Sequence, residues 1–298
     1  MPDPINKDAR KRIDAQTEAR DEAEVEATLN EASDSGFSLS AQERRDVEER
    51  SSPRIALLHE IIRSAGQEEL KRSLAPLAWS AFAAGLTMGF SFLARGVLHR
   101  HMEGLSGAYL VEGLGYTFGF LAVIIARQQL FTENTLTAVL PVMTKPSVHN
   151  VGRLLRLWSV VLAFNLVGTA MFAFGLLHMQ QFDTATQASF AAVGRELMAN
   201  SALEMFTKGI LAGWIIAMMV WMMAATERSR LAIIVICTYV IAIGGFTHIV
   251  VGSAEAMYMV FAGQSTLAEA AFRFALPTLA GNVVGGSLIF ALISHAQV

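Results

Sequence analysis

The chain has little cysteine and, over three quarters of its length, little charge. Cys237 is the single cysteine among 298 residues, which excludes an intrachain disulfide and a cysteine-based metal cluster. About 29 of the 49 charged residues precede Ser73, so the rest of the chain holds only about 20. A soluble protein spreads its charges over its surface, whereas a bilayer-embedded protein confines them to loops. The average net charge of −3 therefore describes neither part and implies no nucleic-acid partner.

Sequence signatures of enzymes are also absent. The chain has no phosphate-cradling glycine-rich loop, no paired His/Glu zinc spacing and no nucleophile elbow. We therefore expect no enzyme activity, no cofactor and no metal site. We expect no signal peptide either, because the N-terminal segment is charged and the first long apolar run begins only near Pro76.

Long apolar runs dominate the remainder, and the mean hydropathy is +0.43. They predict six membrane spans, at about residues 76–98, 109–143, 157–177, 203–224, 231–261 and 271–294. The second run is interrupted by polar residues at 127–129 and 133–134, and the fifth is interrupted from Gly244 through Glu255. We predict an all-α membrane protein with six transmembrane helices, of which the second and fifth are broken.

Two short sequences recur at matching places in this pattern. Leu130-Phe131-Thr132 lies in one break and Gly245-Phe246-Thr247-His248 in the other, and Asn165 and Asn282 follow about 33 residues later. Three spans per half make the second half enter the bilayer from the opposite side. The chain therefore predicts an inverted 3+3 repeat, over about residues 75–180 and 195–296.

The charged N-terminal part is predicted to be separate from the spans. Residues 1–74 are expected to form a cytoplasmic tail, and residues 75–298 a six-span channel domain. Up to about residue 52 the composition favours loose helix and coil, or a segment that docks a partner. A pre-membrane amphipathic helix follows, with apolar residues at helical spacing: Ile55, Leu58, Ile61 and Ile62.

Basic residues predict the orientation of the spans. The tail and the loops at 145–156 and 228–230 hold most of the Lys and Arg, whereas the opposite loops hold few. Basic loops stay on the cytoplasmic side of a membrane. Both termini are therefore predicted to be cytoplasmic.

The two breaks are the candidate functional site. Irregular backbone at membrane depth is tolerated only where protein buries it or a water-filled cavity receives it, so both loops are expected to line a conduit. Free N–H groups at the half-helix ends would suit an anion. His248, placed in mid-span, could bind, protonate or gate a solute, or could be a neutral structural residue. Thr132 could orient the solute or cap the restarting helix.

Other polar and aromatic residues near the breaks have two interpretations each. Asn165 and Asn282 could satisfy freed backbone groups or contact the solute. Tyr116 and Phe120, four residues apart on one helical face, could narrow a pore or simply pack. Arg127 could attract anions or bond loop carbonyls.

Three further charged residues lie in or next to the predicted spans. Glu204 and Lys208 lie four residues apart and are expected to form a structural ion pair. Glu255 follows the second break and could cap the restarting helix with its carboxylate.

At these motifs, together with Asn165-Leu166-Val167-Gly168 and Gly281-Asn282-Val283-Val284-Gly285, the chain resembles the formate/nitrite transporter family of bacterial anion channels. The charged tail and the Gly-Phe-Thr-His sequence look most like its YfdC-like inner-membrane branch. The resemblance covers about residue 75 to the C-terminus. It implies an aquaporin-like six-helix protomer in a homopentamer, in the bacterial inner membrane, with one pore per protomer for small monovalent anions such as formate or nitrite.

The resemblance also implies roles for individual residues. The family's central histidine matches His248 and its loop threonine matches Thr132, and they meet between two hydrophobic constrictions. The family's constriction or loop positions match Tyr116, Phe120, Leu130 and Phe131. The other candidate pore residues are Phe246, Thr247, Asn165, Asn282 and Arg127.

The chain departs from the family at several of its usual residues. Thr247 stands where the family commonly has Glu, and Gly252 or Ser253 stands where it usually has Asn. Gly213, in the fourth span, stands where the family often has another Asn. Arg127 stands where a small residue is usual, and the family lysine just before the fourth span has no clear match. These departures bear on the substrate more than on the architecture.

The sequence thus predicts a membrane channel or transporter for small monovalent weak-acid anions, pH-dependent through His248. The anion would take hydrogen bonds from Thr132 and loop amides and a proton at His248, because a neutral acid crosses hydrocarbon at lower cost than a charge. Two alternatives remain at this stage. One is a channel for neutral solutes, or for cations drawn by Glu133 and Glu255; the other is a non-conducting membrane scaffold whose tail binds a partner.

Overall fold

The computed structural model describes residues 40, 42–43 and 54–298. The chain divides into two compact units, Met1–Ser52 and Pro53–Val298. Apart from the three described residues, the smaller unit lies outside this description. The choice between a loose tail and a partner-binding tail therefore stays a prediction.

Every regular element that the structure describes in the larger unit is a helix. In chain order these are α1 (Ile55–Lys71), α2 (Leu74–Met102), α3 (Ala108–Ile125), α4 (Asn134–Thr137), α5 (Leu140–Thr144), α6 (Val148–His178), α7 (Thr184–Met198), α8 (Ala202–Ala225), α9 (Arg230–Ile243), α10 (Ile249–Phe261) and α11 (Leu267–Ala296). Two stretches of α11, Ala270–Ala275 and Val284–Ala291, have π-helical hydrogen bonding. The all-α class agrees with the expectation from the sequence.

Five of the described helices are long and apolar enough to cross a membrane, namely α2, α3, α6, α8 and α11. Helices α9 and α10 are apolar but shorter, and residues 244–248 separate them. The first break follows α3, as predicted. The predicted extent of the second break is wrong, because α10 begins at Ile249 and contains Glu255 in its middle.

Two further stretches differ from the sequence prediction. Residues expected to form the basic loop at 145–156 are largely helical, since α6 begins at Val148 after a cap in which Ser147 accepts a hydrogen bond from the Asn150 amide. Helix α7 was not predicted, and Asp183 caps it by accepting from the Thr186 amide. Both caps satisfy amides that the first helical turn leaves free.

The amphipathic helix α1 packs against the spans with its apolar face. Its buried residues are Leu58, His59, Ile62, Gly66 and Leu70. His59 Nε2 lies 3.0 Å from His295 Nδ1 near the C-terminus, so both ends of the larger unit meet on one side of the bundle. We call this side the terminal face.

Glycines set the closest crossings of the spans. A Cβ on Gly85 of α2 would lie 2.2 Å from the Asn165 carbonyl oxygen, and one on Gly168 of α6 would lie 2.5 Å from the Phe82 carbonyl oxygen. In α8, a Cβ on Gly213 would lie 2.2 Å from the Asn282 carbonyl oxygen. Such distances require the absence of a side chain, which is how membrane helices approach closely.

Candidate functional site

The first break begins with a turn that contains one residue in the left-handed backbone conformation. The Gln128 amide donates to the Val123 carbonyl at 3.0 Å and the Arg127 amide to the Ile124 carbonyl at 3.1 Å. Arg127 has φ +52°, in the left-handed region. This bond pattern is the Schellman motif, which ends helices and normally has glycine at the left-handed position.

The second break begins with the same turn. The Phe246 amide donates to the Ile241 carbonyl at 3.0 Å and the Gly245 amide to the Ala242 carbonyl at 3.1 Å. Here glycine holds the left-handed position, with φ +59° for Gly245. The two broken helices therefore end alike, but with arginine in one and glycine in the other.

Asn165 ties the first broken segment to the neighbouring helices. Its Oδ1 accepts from the Phe131 amide at 2.9 Å, and its Nδ2 donates to the Ala81 carbonyl at 2.7 Å and the Gln129 carbonyl at 2.9 Å. All its side-chain hydrogen bonds described here go to backbone groups, two of them on the broken segment itself.

Asn282 does the same for the second broken segment. Its Oδ1 accepts from the Ile249 amide at 2.9 Å, and its Nδ2 donates to the Gly209 carbonyl at 2.8 Å and the Thr247 carbonyl at 3.0 Å. Backbone groups freed by a break in a span must find partners inside the protein. These bonds agree with the backbone-satisfying interpretation of both asparagines.

The hydrogen bonds also show which residues of the two breaks correspond. Gln129 corresponds to Thr247, because each carbonyl accepts from an asparagine. Phe131 corresponds to Ile249 in the same way. Matching the two Phe-Thr sequences to each other is therefore wrong by three residues. The asparagine contacts set the register, whereas the resemblance of the two dipeptides does not.

Thr132 and His248 meet where the two broken segments face each other. Thr132 Oγ1 lies 2.7 Å from His248 Nε2, and both residues are buried. His248 caps α10, with Nδ1 accepting from the amides of Val250 at 3.3 Å and Val251 at 3.4 Å. A ring nitrogen that accepts carries no proton, so the neutral imidazole has its hydrogen on Nε2 and donates it to Thr132. The Thr132 hydroxyl hydrogen is then left for another acceptor.

These contacts show which residue caps the helix after the second break. The cap of α10 is His248, so the interpretation that Glu255 caps this helix is wrong. The side chain at the N-cap of α4, Glu133, makes no capping hydrogen bond, and Thr132 does not cap that helix. The hydroxyl of Thr132 contacts His248, while its carbonyl accepts from the Thr135 hydroxyl at 2.7 Å.

Aromatic rings continue from this pair. The Phe120 ring lies edge-on to His248 with centroids 4.9 Å apart, and Tyr116 lies 5.4 Å from Phe120. The Tyr116 hydroxyl is buried and has no hydrogen-bond partner among the described residues. Leu130 and Phe131, also buried, flank Thr132, and the Phe131 ring packs edge-on against Trp158 at 5.8 Å.

A cavity of about 110 Å³ borders His248, and we call it the inner cavity. The predicted pore residues Tyr116, Phe246 and Thr247 also line it. Its other polar lining residues are Arg95, Glu196, Asn200, Lys208 and Glu255.

The sequence reasoning did not assign this charged lining to the pore. Arg95 Nη1 lies 3.5 Å from Glu255 Oε1, which makes an ion pair beside His248. Glu255 follows His248 by seven residues, which is about two helical turns, and this spacing could have placed both on one face. The predicted Glu204–Lys208 pair is not what the structure shows. Lys208 Nζ donates to Asn200 Oδ1 at 2.5 Å, and Glu204 completes the capping box of α8 with Ser201.

A second cavity, of about 500 Å³, opens beneath α1 on the terminal face, and we call it the outer cavity. Its polar lining comprises Glu69, Arg127, Gln128, Gln129, Glu133, Asn134, Thr137 and Arg230. Arg127 thus lies here, apart from the Thr132–His248 contact. His248 lines the inner cavity, and Glu133, next to Thr132 in sequence, lines the outer one.

Comparison with known proteins identifies the class of protein that has this arrangement. The family model of the formate/nitrite transporters matches residues 56–296, and the chain belongs to this family. It is 51% identical to the inner membrane protein YfdC of Escherichia coli over 251 residues, which cover 84% of this chain and 81% of that protein. It is 24% identical to a probable formate transporter of Methanothermobacter thermautotrophicus over 202 residues, covering 62% and 73% of the two chains. The resemblance inferred from the motifs is confirmed.

Solved structures share the fold. A pentameric formate channel with formate bound has a TM-score of 0.63 at 18% identity, covering 79% of this chain and 98% of that one. An ion channel of the same family has a TM-score of 0.66 at 23% identity, covering 82% and 96%.

Proposed function

We propose that the chain is a channel or transporter for small monovalent weak-acid anions of the formate and nitrite type. The observation that carries the proposal is the buried contact between Thr132 and His248, formed by two broken helices. Family membership supports anion transport, and one similar structure is described as holding formate.

The anion meets its donors at the central pair. His248 donates through Nε2 to Thr132, and the Thr132 hydroxyl donates to the anion. As the anion leaves the outer cavity for the apolar passage, it takes a proton and moves on as the neutral acid, because a bare charge in such surroundings costs several kcal/mol. Proton exchange uses Nε2 of His248, since Nδ1 is held by backbone amides. As the Thr132 hydroxyl gives its hydrogen to the anion, the Nε2 hydrogen passes to Thr132 and water in the inner cavity returns a proton to Nε2. This makes transport pH-dependent.

Apolar side chains on both sides of the pair form the constrictions. Phe120 and Tyr116 narrow the passage toward the inner cavity, and Leu130 and Phe131 narrow it toward the outer cavity. Asn165 and Asn282 hold the broken segments that present these residues. The cation-channel alternative has less support at Glu255, because its carboxylate is already paired with Arg95.

The proposed architecture has six crossings related as an inverted 3+3 repeat. Helices α9 and α10 together form the fifth crossing, and α3 with its following segment forms the second. Support comes from the matching turns at the two breaks and the matching asparagine bonds. Residues 1–74 form the tail and 75–298 the channel domain.

We place the protein in the bacterial inner membrane as a homopentamer with cytoplasmic termini. The similar Escherichia coli protein is described as an inner membrane protein and one similar structure as pentameric. Large apolar side chains exposed on the spans, such as Trp79, Leu203 and Phe272, suit contact with lipid or with neighbouring copies.

Anion flux into proteoliposomes tests the proposal. Formate and nitrite uptake is compared for the wild type, His248→Asn, Thr132→Val and the matched control Thr132→Ser, between about pH 5 and pH 8. Thr132→Val removes the relaying hydroxyl and is expected to lower the rate at least tenfold, a loss of about 1.4 kcal/mol or more of stabilisation. Thr132→Ser keeps it and stays within about twofold. Equal rates for Val and Ser variants, or a wild type no faster than protein-free liposomes, contradict the proposal.

A further inference from the structure

Arg127 keeps a backbone conformation that costs free energy. Its φ of +52° lies in the left-handed region, and among the described residues other than glycine it is the one with positive φ. The equivalent position of the second break is occupied by Gly245. A side chain other than glycine is strained in this conformation, and such strain persists where the surroundings or the function require the residue.

The side chain of Arg127 borders the outer cavity, which other polar residues also line. Arg230, the first residue of α9, lines the same cavity. Arg230 Nε and Gln128 Oε1 are buried and have no hydrogen-bond partner among the described residues. A buried polar atom without a partner is costly, so two at one cavity indicate a bound group or water that completes them.

Two carboxylates line the cavity as well. Glu69 is engaged by Arg72, with Nη1 to Oε2 at 3.1 Å, so its charge is largely offset locally. Glu133 contributes the other carboxylate, against two guanidinium groups. The cavity therefore retains an excess of positive charge over its unpaired acid.

We propose that Arg127 and Arg230 form a binding site for a planar oxyanion of the carboxylate class in the outer cavity, separate from the Thr132–His248 contact. Guanidinium groups match the two oxygens of a carboxylate in a fixed planar geometry. A volume of about 500 Å³ accepts a carboxylate with several attached carbons as readily as formate. Gln128 lines the same space.

The role of this site rests on the proposed function: the anion binds here before it enters the constriction. Binding itself requires no transport. The departure at Arg127 would then distinguish this chain by a loading site beneath α1 that holds the anion between Arg127 and Arg230, close to the first break.

The experiment measures line broadening of ¹³C-labelled formate, and separately acetate, by the purified full chain in detergent at neutral pH. Variants are Arg127→Gly, Arg230→Gln, His248→Asn and the matched control Arg228→Gln, whose arginine is exposed on the same loop. Arg127→Gly relieves backbone strain, so lost binding in this variant does not reflect unfolding. Thermal unfolding of each variant is recorded alongside.

We expect Arg127→Gly and Arg230→Gln each to weaken formate and acetate binding by roughly tenfold, as the loss of a charge-assisted hydrogen bond implies. Arg228→Gln and His248→Asn should bind as the wild type does. The proposal is overturned by wild-type binding in both arginine variants, by an equal loss in Arg228→Gln, by dependence on His248 alone, or by no broadening with the wild type. Flux without this binding would leave the proposed function standing, and binding without flux would leave the site standing.

Discussion

At the scale of single residues, the proposed function depends on a buried hydrogen-bonded pair, and the proposed binding site depends on one arginine with a strained backbone conformation. Thr132 and His248 contact each other at 2.7 Å in a buried position, and the amides of α10 fix the tautomer of the histidine. The sequence pointed to this pair because a mid-span histidine and a family motif coincide. It could not reveal the conformation of Arg127, since arginine rarely adopts a left-handed conformation and here the hydrogen bonds of the turn impose it.

The two turns predict opposite responses to substitution. Arg127→Gly should raise the free energy of unfolding by up to about 1 kcal/mol, because glycine adopts positive φ without strain. Gly245→Ala should lower it by about 1 kcal/mol, and strain is the cause, because a Cβ there meets nothing within 4 Å. Thermal unfolding in detergent measures both. A lower melting temperature for Arg127→Gly would show that the guanidinium stabilises the fold by more than its backbone costs.

At the scale of elements, hydropathy predicted the long helices but not their polar additions. The predicted span at 203–224 lies within α8, Ala202–Ala225. Helix α7 escaped notice because Thr184–Met198 mixes small, polar and charged residues and has no long apolar run. The register of the two breaks was also out of reach, since it depends on which carbonyls Asn165 and Asn282 contact across the bundle.

Replacing either asparagine by alanine is expected to lower the free energy of unfolding by a large and similar amount. Asn282→Ala removes three buried hydrogen bonds and leaves their backbone partners unsatisfied, so it should cost about 3 kcal/mol or more. Asn165→Ala should cost a similar amount. Asn150→Ala, which removes one exposed hydrogen bond, is the control and should cost under about 1 kcal/mol. Thermal unfolding compares the three; wild-type stability in Asn282→Ala would refute the structural role.

Docking of α1 is expected to depend on pH through His59. Burial, and after it the neighbouring His295, lowers the pKa of His59 below its ordinary value. The undocked helix then binds more protons than the docked one below about pH 6.5, so docking is strongest above that pH and weakens as the pH falls.

Backbone hydrogen exchange of α1, corrected for the intrinsic rate, measures this dependence at about pH 5.5 and about pH 7.5. Protection should drop at the lower pH in the wild type and in the exposed control His149→Gln. In His59→Phe the drop should be absent or much smaller. A drop of the same size in His59→Phe would assign the effect to other groups.

At the scale of the whole molecule, the proposed passage joins two cavities through one hydrogen-bonded pair. The inner cavity carries the Arg95–Glu255 ion pair, and the outer cavity carries Arg127 and Arg230 beneath α1. The chain belongs to a transporter family. In the proposed route, the Thr132–His248 contact lets a passage built mainly from apolar side chains admit an anion. The central claim is that the anion passes the pair together with a proton.

The most direct test records formate uptake, luminal pH and membrane potential together in proteoliposomes that contain the purified chain. If the anion crosses with a proton, uptake above the leak of protein-free liposomes acidifies the lumen in step with formate entry and generates no potential. The rate should fall as the external pH rises from about 5 to about 8, and His248→Asn should lose this pH response. Formate uptake that builds an inside-negative potential without acidifying the lumen would contradict the account.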